Sequence, residues 1–276
     1  MNSKTKNLQH LSSSQYASAD KLHARWDLYE SAVPKIDIHQ TGIDRLKLKG
    51  SENVLEVGCG DGSVLVNLRR KGHKGKLVGL EITDGMFRES VEAQEKENLK
   101  PTIKFIVGSA DNLPFPDKSF DVVLAFFMLY HMPDIQKTLR EWKRVLKDKG
   151  KVLISTGSPL NKPKHKKFKQ MVEALIRKTA SPQFSSSFNL ENDEEQLKSF
   201  FKIIDKFVYE GQIKIEKAQP YLNAFNSIRD MYEPIPSDTD WERAESAVRT
   251  EVEKEIAQNG FFTDSVRRGF FICEKI

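Results

Sequence analysis

The chain has 276 residues, of which 38% are hydrophobic and 30% charged, and its net charge is +5. This length and composition suit a globular protein and argue against wholesale disorder. The longest apolar run, residues 122–130, is too short to cross a bilayer, and the first ten residues lack the apolar stretch of a secretory signal. The two cysteines, Cys59 and Cys273, support neither a disulfide framework nor a zinc site. We therefore expect a cytoplasmic protein with no membrane span and no metal.

Patterns typical of strands and helices alternate along the chain. Residues 1–20 are polar, and residues 20–48 have a helical apolar spacing that Pro34 interrupts. The predicted strands are residues 53–57, 76–81, 103–107, 120–126, 151–155, 202–209 and 269–274. The helices predicted after the first strand are residues 64–70, a segment ending near 98, 135–146, 168–178, 193–201, 218–232 and 240–259. This alternation predicts an α/β fold with a doubly wound, parallel sheet.

A glycine-rich turn, Gly58-Cys59-Gly60-Asp61-Gly62, follows the first predicted strand directly. Glycine allows a left-handed backbone and lets a ligand approach the main chain closely. In an open α/β sheet, ligands bind outside the carboxyl ends of the strands, where the next helix offers free N–H groups. The turn alone is weak evidence for a ligand, because glycine-rich turns also occur without one.

An acidic residue at the end of the second strand strengthens the interpretation. Glu81 lies 21 residues after Gly60, where nucleotide-binding α/β domains hold ribose hydroxyl groups with a carboxylate. A dinucleotide site has the pattern Gly-x-Gly-x-x-Gly, but here Gly62 comes one position early and Ser63 follows it. The spacing therefore favours an adenosyl compound, with a dinucleotide as the alternative.

Two later segments complete the pattern, VGSADNLPFPDKSFDVV at residues 107–123 and FFMLYHMPD at residues 126–134. With them, residues 50–156 resemble a class I S-adenosylmethionine-dependent methyltransferase, and more narrowly the group that includes ubiquinone/menaquinone-biosynthesis methyltransferases. The resemblance implies an enzyme that transfers a methyl group from S-adenosylmethionine to a small molecule by in-line displacement, with S-adenosylhomocysteine as product. It also implies a Rossmann-like, mostly parallel seven-stranded sheet whose last strand is antiparallel.

On this basis the chain divides into three segments. We expect residues 1–49 to form an N-terminal helical cap and residues 50–156 to form the Rossmann-like core that binds S-adenosylmethionine. Residues 157–276 would contribute a helical lid over the substrate and the final strands of the sheet. The expected assembly is a monomer or a homodimer.

The resemblance also assigns cofactor contacts to individual residues. Glu56 matches the acid beside the methionine amino group, Glu81 the ribose-binding acid, and Asp111 the acid that accepts the adenine amino group. Charge-assisted hydrogen bonds of this kind are the stronger ones. The other matched positions are Gly58, Gly60 and Gly62 under the aminocarboxypropyl chain, and Ile82 and Ala110 beside adenine.

Further candidates lie outside the core motifs. Tyr16 and Arg25 could fold over the cofactor, where an arginine can pair with its carboxylate. Phe126, like Phe127, stands where relatives often carry polar residues, which suggests either an apolar surface of the site or ordinary core. His131 is the best candidate for a general base or a substrate contact, because its pKa is accessible and it follows a strand. The alternative for His131 is a histidine that only packs in its loop.

Two other functions remain open at this stage. The basic stretch at residues 161–169 could contact RNA phosphates, which would suggest an RNA methyltransferase, although a solvated loop entering a helix is the simpler interpretation. The chain also lacks the Asn/Asp-Pro-Pro-aromatic motif of many enzymes that methylate nucleic-acid bases. The weak case for a base leaves a non-catalytic cofactor-binding protein as the other alternative.

Overall fold

The computed structural model describes residues 20–100, 102–180 and 187–276. The helices are α1 (Asp20–Glu30), α2 (Ile38–Leu46), α3 (Ser63–Arg70), α4 (Asp84–Glu97), α5 (Ile135–Val145), α6 (Pro163–Ile176), α7 (Glu194–Lys198), α8 (Gln219–Asn226) and α9 (Asp238–Asn259). The strands are β1 (Ala32–Val33), β2 (Val54–Val57), β3 (Leu77–Glu81), β4 (Lys104–Val107), β5 (Phe120–Phe126), β6 (Leu146–Gly157), β7 (Thr179–Ala180), β8 (Phe201–Ile215), β9 (Tyr232–Glu233) and β10 (Phe262–Lys275). None of the helices in the described ranges is long and apolar enough to cross a membrane.

The main sheet has eight strands in the order β1-β8-β10-β6-β5-β2-β3-β4. Strands β6, β5, β2, β3 and β4 run parallel to one another. The last strand, β10, is antiparallel to both β6 and β8. The predicted Rossmann-like, mostly parallel sheet with an antiparallel last strand is confirmed. The eighth strand, which the sequence did not indicate, is the two-residue β1, which pairs with the edge of β8.

Side chains of the parallel strands alternate between two apolar layers. Along β5, Val122 and Leu124 belong to one buried cluster, whereas Val123 and Ala125 belong to the other. Successive strand residues point to opposite faces, so the sheet has a core on each side. Helix α5 covers one face of the sheet. At the start of this helix, the Asp134 carboxylate accepts a hydrogen bond from the Lys137 N–H. Its apolar stripe buries Leu139, Trp142 and Val145.

Several predicted boundaries were wrong, mainly in the last third of the chain. The strands predicted at 151–155, 202–209 and 269–274 extend to the bounds of β6, β8 and β10, because long antiparallel pairing also holds polar residues that alternate outward. Helix α6 begins at Pro163, five residues before the predicted start, since proline is well suited to a first helical turn. The helices predicted at 193–201 and 218–232 are shorter, ending at Lys198 and Asn226.

Candidate functional site

A cavity of about 340 Å³ opens at the carboxyl ends of the parallel strands. Between β5 and β2 the strand order reverses, which is the place where open α/β sheets bind ligands. The volume lies in the range of small-molecule sites. Its lining includes these residues singled out by the sequence: Arg25, Glu56, Gly58, Gly60, Glu81, Ile82, Ala110, Phe126 and His131. Gly62 and Asp111 are not part of this lining, and Tyr16 lies outside the described residues.

The glycine turn combines access to the cavity with close packing. Gly58, Gly60 and Gly62 all have positive φ, at 65°, 55° and 75°. Within the described part of the chain, a Cβ on Gly60 would have only Leu22 near it, at 3.9 Å, which leaves this stretch of backbone open to a ligand. A Cβ on Gly62 would come within 2.8 Å of Ser90, so the third glycine lets the turn pack against α4.

Glu56 is a buried carboxyl, one oxygen of which has no partner among the described residues. Its side chain is 2% exposed, and its Oε2 atom has no hydrogen bond among the described residues. Burial raises the pKa of the Glu56 carboxyl well above its ordinary value, and the nearby Asp61 and Glu81 carboxylates raise it further. A buried acid of this kind is best satisfied by a cationic ligand.

Glu81 holds the turn against β3. Its Oε2 accepts a hydrogen bond from the Gly60 N–H at 3.0 Å, and its Oε1 accepts from the N–H groups of Ile82 at 2.9 Å and Thr83 at 3.0 Å. Burial raises the pKa of the Glu81 carboxyl although these donors act in the opposite direction. A carboxylate has about four acceptor positions, so roughly one is left for a ligand hydroxyl.

Asp111 is tied to neighbouring side chains, directly beside Ser109 and Ala110 of the cavity wall. Its carboxylate accepts from the Ser109 hydroxyl at 2.6 Å and from the Lys137 ammonium at 3.0 Å. Burial acts to raise the pKa of Asp111, but these two partners lower it below its usual value. The adjacent wall is held by Trp142, whose indole N–H donates to the Ala110 carbonyl at 3.2 Å.

His131 lies in the cavity wall but is poorly suited to hold a proton. It ends the 3₁₀ turn Leu129–His131 after β5. Burial lowers the pKa of His131 to about 3, and the positive charge of Arg25 acts in the same direction. The imidazole is therefore neutral at physiological pH, and its basicity is badly matched to proton abstraction there. Arg25 reaches the same cavity from α1.

Aromatic rings form a second wall that sequence reasoning identified only in part. Phe126 is 8% exposed, and its ring lies 4.6 Å from that of His39 and edge-on to it. His39 in turn lies 5.9 Å from Phe127 and 6.0 Å from Trp26. His39 lines the cavity, whereas the Tyr221 hydroxyl is 3.0 Å from His165 Nδ1, outside the cavity lining.

Sequence reasoning did not identify four polar residues at the end of the cavity that lies away from the glycine turn. Tyr29, Asn161, Lys162 and Arg268 line the cavity next to β6 and β10. They come from three separate parts of the chain and belong to no local motif, so no signal in one sequence brings them together.

Comparison with known proteins agrees with the fold and the glycine turn. A family model described as a methyltransferase domain matches residues 55–154. The demethylmenaquinone methyltransferase of Lactobacillus johnsonii is 34% identical over 119 residues, or 42% of this chain and 49% of that protein. The ubiquinone/menaquinone biosynthesis C-methyltransferase of Rickettsia bellii is 37% identical over 107 residues, or 37% of this chain and 43% of that protein. The chain thus spans about half the length of the curated relatives it matches.

The fold extends beyond the matched domain. The YcgJ protein of Bacillus subtilis is 18% identical, with a TM-score of 0.57, and the superposition covers 86% of this chain and 97% of that chain. At this identity the likeness concerns the fold alone. Residues 55–154 thus match a methyltransferase domain, and the sheet order around them is that of a Rossmann-like fold.

Proposed function

We propose that this chain transfers a methyl group from S-adenosylmethionine to a small molecule by in-line displacement. The observation that carries the proposal is the buried Glu56 carboxyl: within the described ranges its Oε2 atom has no hydrogen-bond partner, and the residue lines the cavity beside the glycine turn. When bound, S-adenosylmethionine supplies a methyl group that its sulfonium activates and an α-ammonium that needs an acceptor. Glu56 is placed to accept a charge-assisted hydrogen bond from such an ammonium.

The remaining cofactor contacts follow the same chemistry. We assign the free acceptor position of Glu81 to a ribose hydroxyl, and the apolar side chain of Ile82, which is 41% exposed, to the adenine face. Arg25 would pair with the methionine carboxylate. Asp111 would accept the adenine amino group with the capacity that Ser109 and Lys137 leave. Tyr16 remains a proposed contact from the residues outside the described ranges.

The chain's own contribution to the transfer is alignment and exclusion of water. The displacement needs the acceptor atom in line with the methyl group, and a dry, shaped pocket supplies that alignment. The rings of Trp26, His39, Phe126 and Phe127 form such a wall. His131, neutral in this wall, would contact the acceptor rather than remove its proton.

The three proposed segments come together around the cavity. Arg25 and Trp26 reach it from the cap at residues 1–49, and the glycine turn belongs to the core at residues 50–156. Arg268 reaches it from the substrate segment at residues 157–276. The two cysteines are free and buried, which supports our proposal of a cytoplasmic location.

The surroundings of the basic stretch favour a small molecule over RNA. Lys164 forms an ion pair with Glu255 at 2.6 Å, and Lys162 lines the cavity instead of an outer surface. The relatives methylate demethylmenaquinone or act in quinone biosynthesis, as their names say, and the aromatic wall supports a ring-bearing or apolar acceptor here.

The test combines binding with transfer. We expect S-adenosylmethionine and S-adenosylhomocysteine to bind in isothermal titration, and Asp111→Ala to weaken both, whereas the surface variant Glu97→Ala leaves them unchanged. Glu97 is the matched control, because it pairs with Arg70 away from the cavity. Methyl-labelled cofactor incubated with a metabolite extract should yield a labelled small molecule. Cofactor binding without any product would support the non-catalytic alternative, and labelled RNA would support the RNA methyltransferase.

A further inference from the structure

The strongest unexplained feature of the cavity is the guanidinium of Arg268. This residue lies on β10, lines the cavity and is only 9% exposed. Its Nε atom is buried without a hydrogen-bond acceptor in the part of the chain that the structure describes. Arginine keeps its charge in proteins, and a buried charge normally has an acceptor. A cation is therefore held at the wall of the cavity with part of its hydrogen-bonding capacity unused.

The groups around Arg268 attract its positive charge but accept few hydrogen bonds from its N–H groups. Its Cζ atom lies 4.1 Å from the ring centroid of Tyr29, 5.9 Å from that of Phe127 and 6.0 Å from that of Tyr209. Each such contact is weak compared with an ion pair, and a ring face has no lone pair that resembles a carboxylate. Asp37 and Glu30 act on Arg268 only through their charge.

The neighbouring Arg267 provides a contrast. Consecutive residues of a strand point to opposite faces of the sheet. Arg267 has an acid on its side, with its Nε atom 2.9 Å from Glu191 Oε1. The arginine outside the cavity is thus neutralised by a carboxylate of the chain, whereas Arg268 faces the cavity.

A second cation strengthens the positive character of this end. The Lys162 Nζ atom lies 5.0 Å from the Tyr29 ring centroid, and the Tyr29 hydroxyl accepts from the Asn161 amide at 3.2 Å. Burial acts to raise the pKa of Tyr29, yet the Lys162 and Arg268 charges lower it below its usual value. Asp264, which also acts on Lys162 through its charge, already accepts from the Lys164 N–H at 3.0 Å and the His165 N–H at 2.9 Å.

The sheet order separates Arg268 from the proposed cofactor contacts. Strand β10 lies three places from β2, with β6 and β5 between them. Neighbouring strands are about 4.8 Å apart, so β10 is roughly 14 Å from the strand that ends in the glycine turn. The aromatic residues Phe126 and Phe127 lie between the two ends. The Arg268 end therefore suits the methyl acceptor, whereas we assign the methionine carboxylate to Arg25, which lies on the same helix as His23, 3.1 Å from Asp61 of the glycine turn.

We propose that the methyl acceptor carries a carboxylate, which Arg268 binds with Lys162 beside it, while its apolar body lies against Phe126 and Phe127. A guanidinium presents N–H groups in a planar fork that matches a carboxylate. The inference rests on the proposed function and adds the substrate class: an aromatic or apolar carboxylic acid, methylated at an atom remote from its carboxylate.

The test compares acids with their neutral amides. The probes are benzoate, 3-phenylpropanoate and 4-phenylbutanoate, each paired with its amide and titrated into protein saturated with S-adenosylhomocysteine. A lost charge-assisted pair corresponds to about 10-fold or more in affinity. We expect at least one acid to bind about 10-fold more tightly than its amide, Arg268→Gln to abolish that difference, and Lys162→Gln to reduce it. Arg45→Gln should retain the difference, because Arg45 lies over Phe207 outside the cavity lining.

Three outcomes would overturn the proposal. The first is that no acid binds more tightly than its amide, and the second is that Arg268→Gln preserves the preference. The third is that inorganic phosphate, titrated alone, binds to the protein whereas none of the three acids does. If Arg268→Gln fails to fold, the same comparison in Arg268→Lys and Lys162→Gln decides. Failure of the proposed function is seen separately: the wild type would then not bind S-adenosylhomocysteine. In that case the acid and amide titrations are run in the absence of S-adenosylhomocysteine.

Discussion

Replacing Glu56 by glutamine should have opposite effects on the stability of the free protein and on its affinity for the cofactor. Glutamine keeps the shape of the side chain but cannot ionise, so the cluster of Glu56, Asp61 and Glu81 loses one acid. The free protein should gain stability above neutral pH. At the same time, the proposed cofactor ammonium would lose its charged acceptor.

The size of the binding effect follows from the burial of this carboxyl. Glu56 is 2% exposed, so solvent screens its interaction with an ammonium very little. A hydrogen bond to a charged group contributes about 1.5–3 kcal/mol, which corresponds to about 10- to 150-fold in the dissociation constant. We therefore expect Glu56→Gln to weaken S-adenosylhomocysteine binding by one to two orders of magnitude, measured by isothermal titration.

The pH dependence has a defined sign. Burial raises the pKa of Glu56, so the carboxyl of the free protein is protonated at pH values where an exposed glutamate is ionised. Binding of an ammonium favours the carboxylate, so affinity should rise with pH and binding should release a proton. An acid whose folded-state pKa is raised makes the free protein less stable as pH rises through that pKa. In Glu56→Gln the fall of Tm with pH should be smaller, with Glu81 accounting for part of what remains.

The assay uses buffers with different ionisation enthalpies, so that proton release can be read from the apparent heat of binding. Glu97→Gln is the matched control, since it replaces an exposed acid that pairs with Arg70. Unchanged affinity in Glu56→Gln, or no proton release by the wild type at any pH, would refute the assignment of Glu56 to the cofactor ammonium.

Three further predictions concern other parts of the site. Gly62→Ala should lower the unfolding free energy by about 1–3 kcal/mol in denaturant titrations, because φ is 75° and the added Cβ would meet neighbours at 2.8 Å. Gly72→Ala should cost less, because none of the described residues lies within 4 Å of a Cβ at that position. Trp142→Phe should cost about 1–3 kcal/mol in the same titrations and weaken cofactor binding, because it leaves the Ala110 carbonyl without its donor; unchanged binding would argue against a role for this wall. Since burial holds the pKa of His131 near 3, the pH profile of kcat/KM in His131→Asn should keep the limbs of the wild type between pH 5 and 8, and loss of a limb would identify His131 as the base.

The residues that could be predicted from the sequence are those held by local geometry. The glycine turn, Glu56 and Glu81 lie at the ends of short buried strands, and their spacing follows from the alternation of strand and helix. The same alternation indicated the parallel part of the sheet. These features could be read from one chain because each motif spans few residues and has few structural solutions.

The acceptor end could not be predicted, because its parts are distant in the chain. Arg268 faces the cavity through the register of β10, where it stands opposite Gly157 of β6. Tyr29 is brought to it by α1, and Lys162 by the turn before α6. Arg267 and Arg268 are adjacent in β10, and nothing in the sequence distinguishes the arginine that faces the cavity from its neighbour. Its burial is decided by the antiparallel insertion of β10 between β6 and β8.

The most direct test of the central claim is the fate of the methyl group. Wild-type protein is incubated with methyl-labelled S-adenosylmethionine and a small-molecule metabolite extract, and S-adenosylhomocysteine and labelled products are quantified by mass spectrometry. The account predicts a labelled small molecule in an amount equal to the S-adenosylhomocysteine formed, and a strong reduction of both in Glu56→Gln. Tight cofactor binding with no labelled small molecule, or with label found only in RNA, would contradict it.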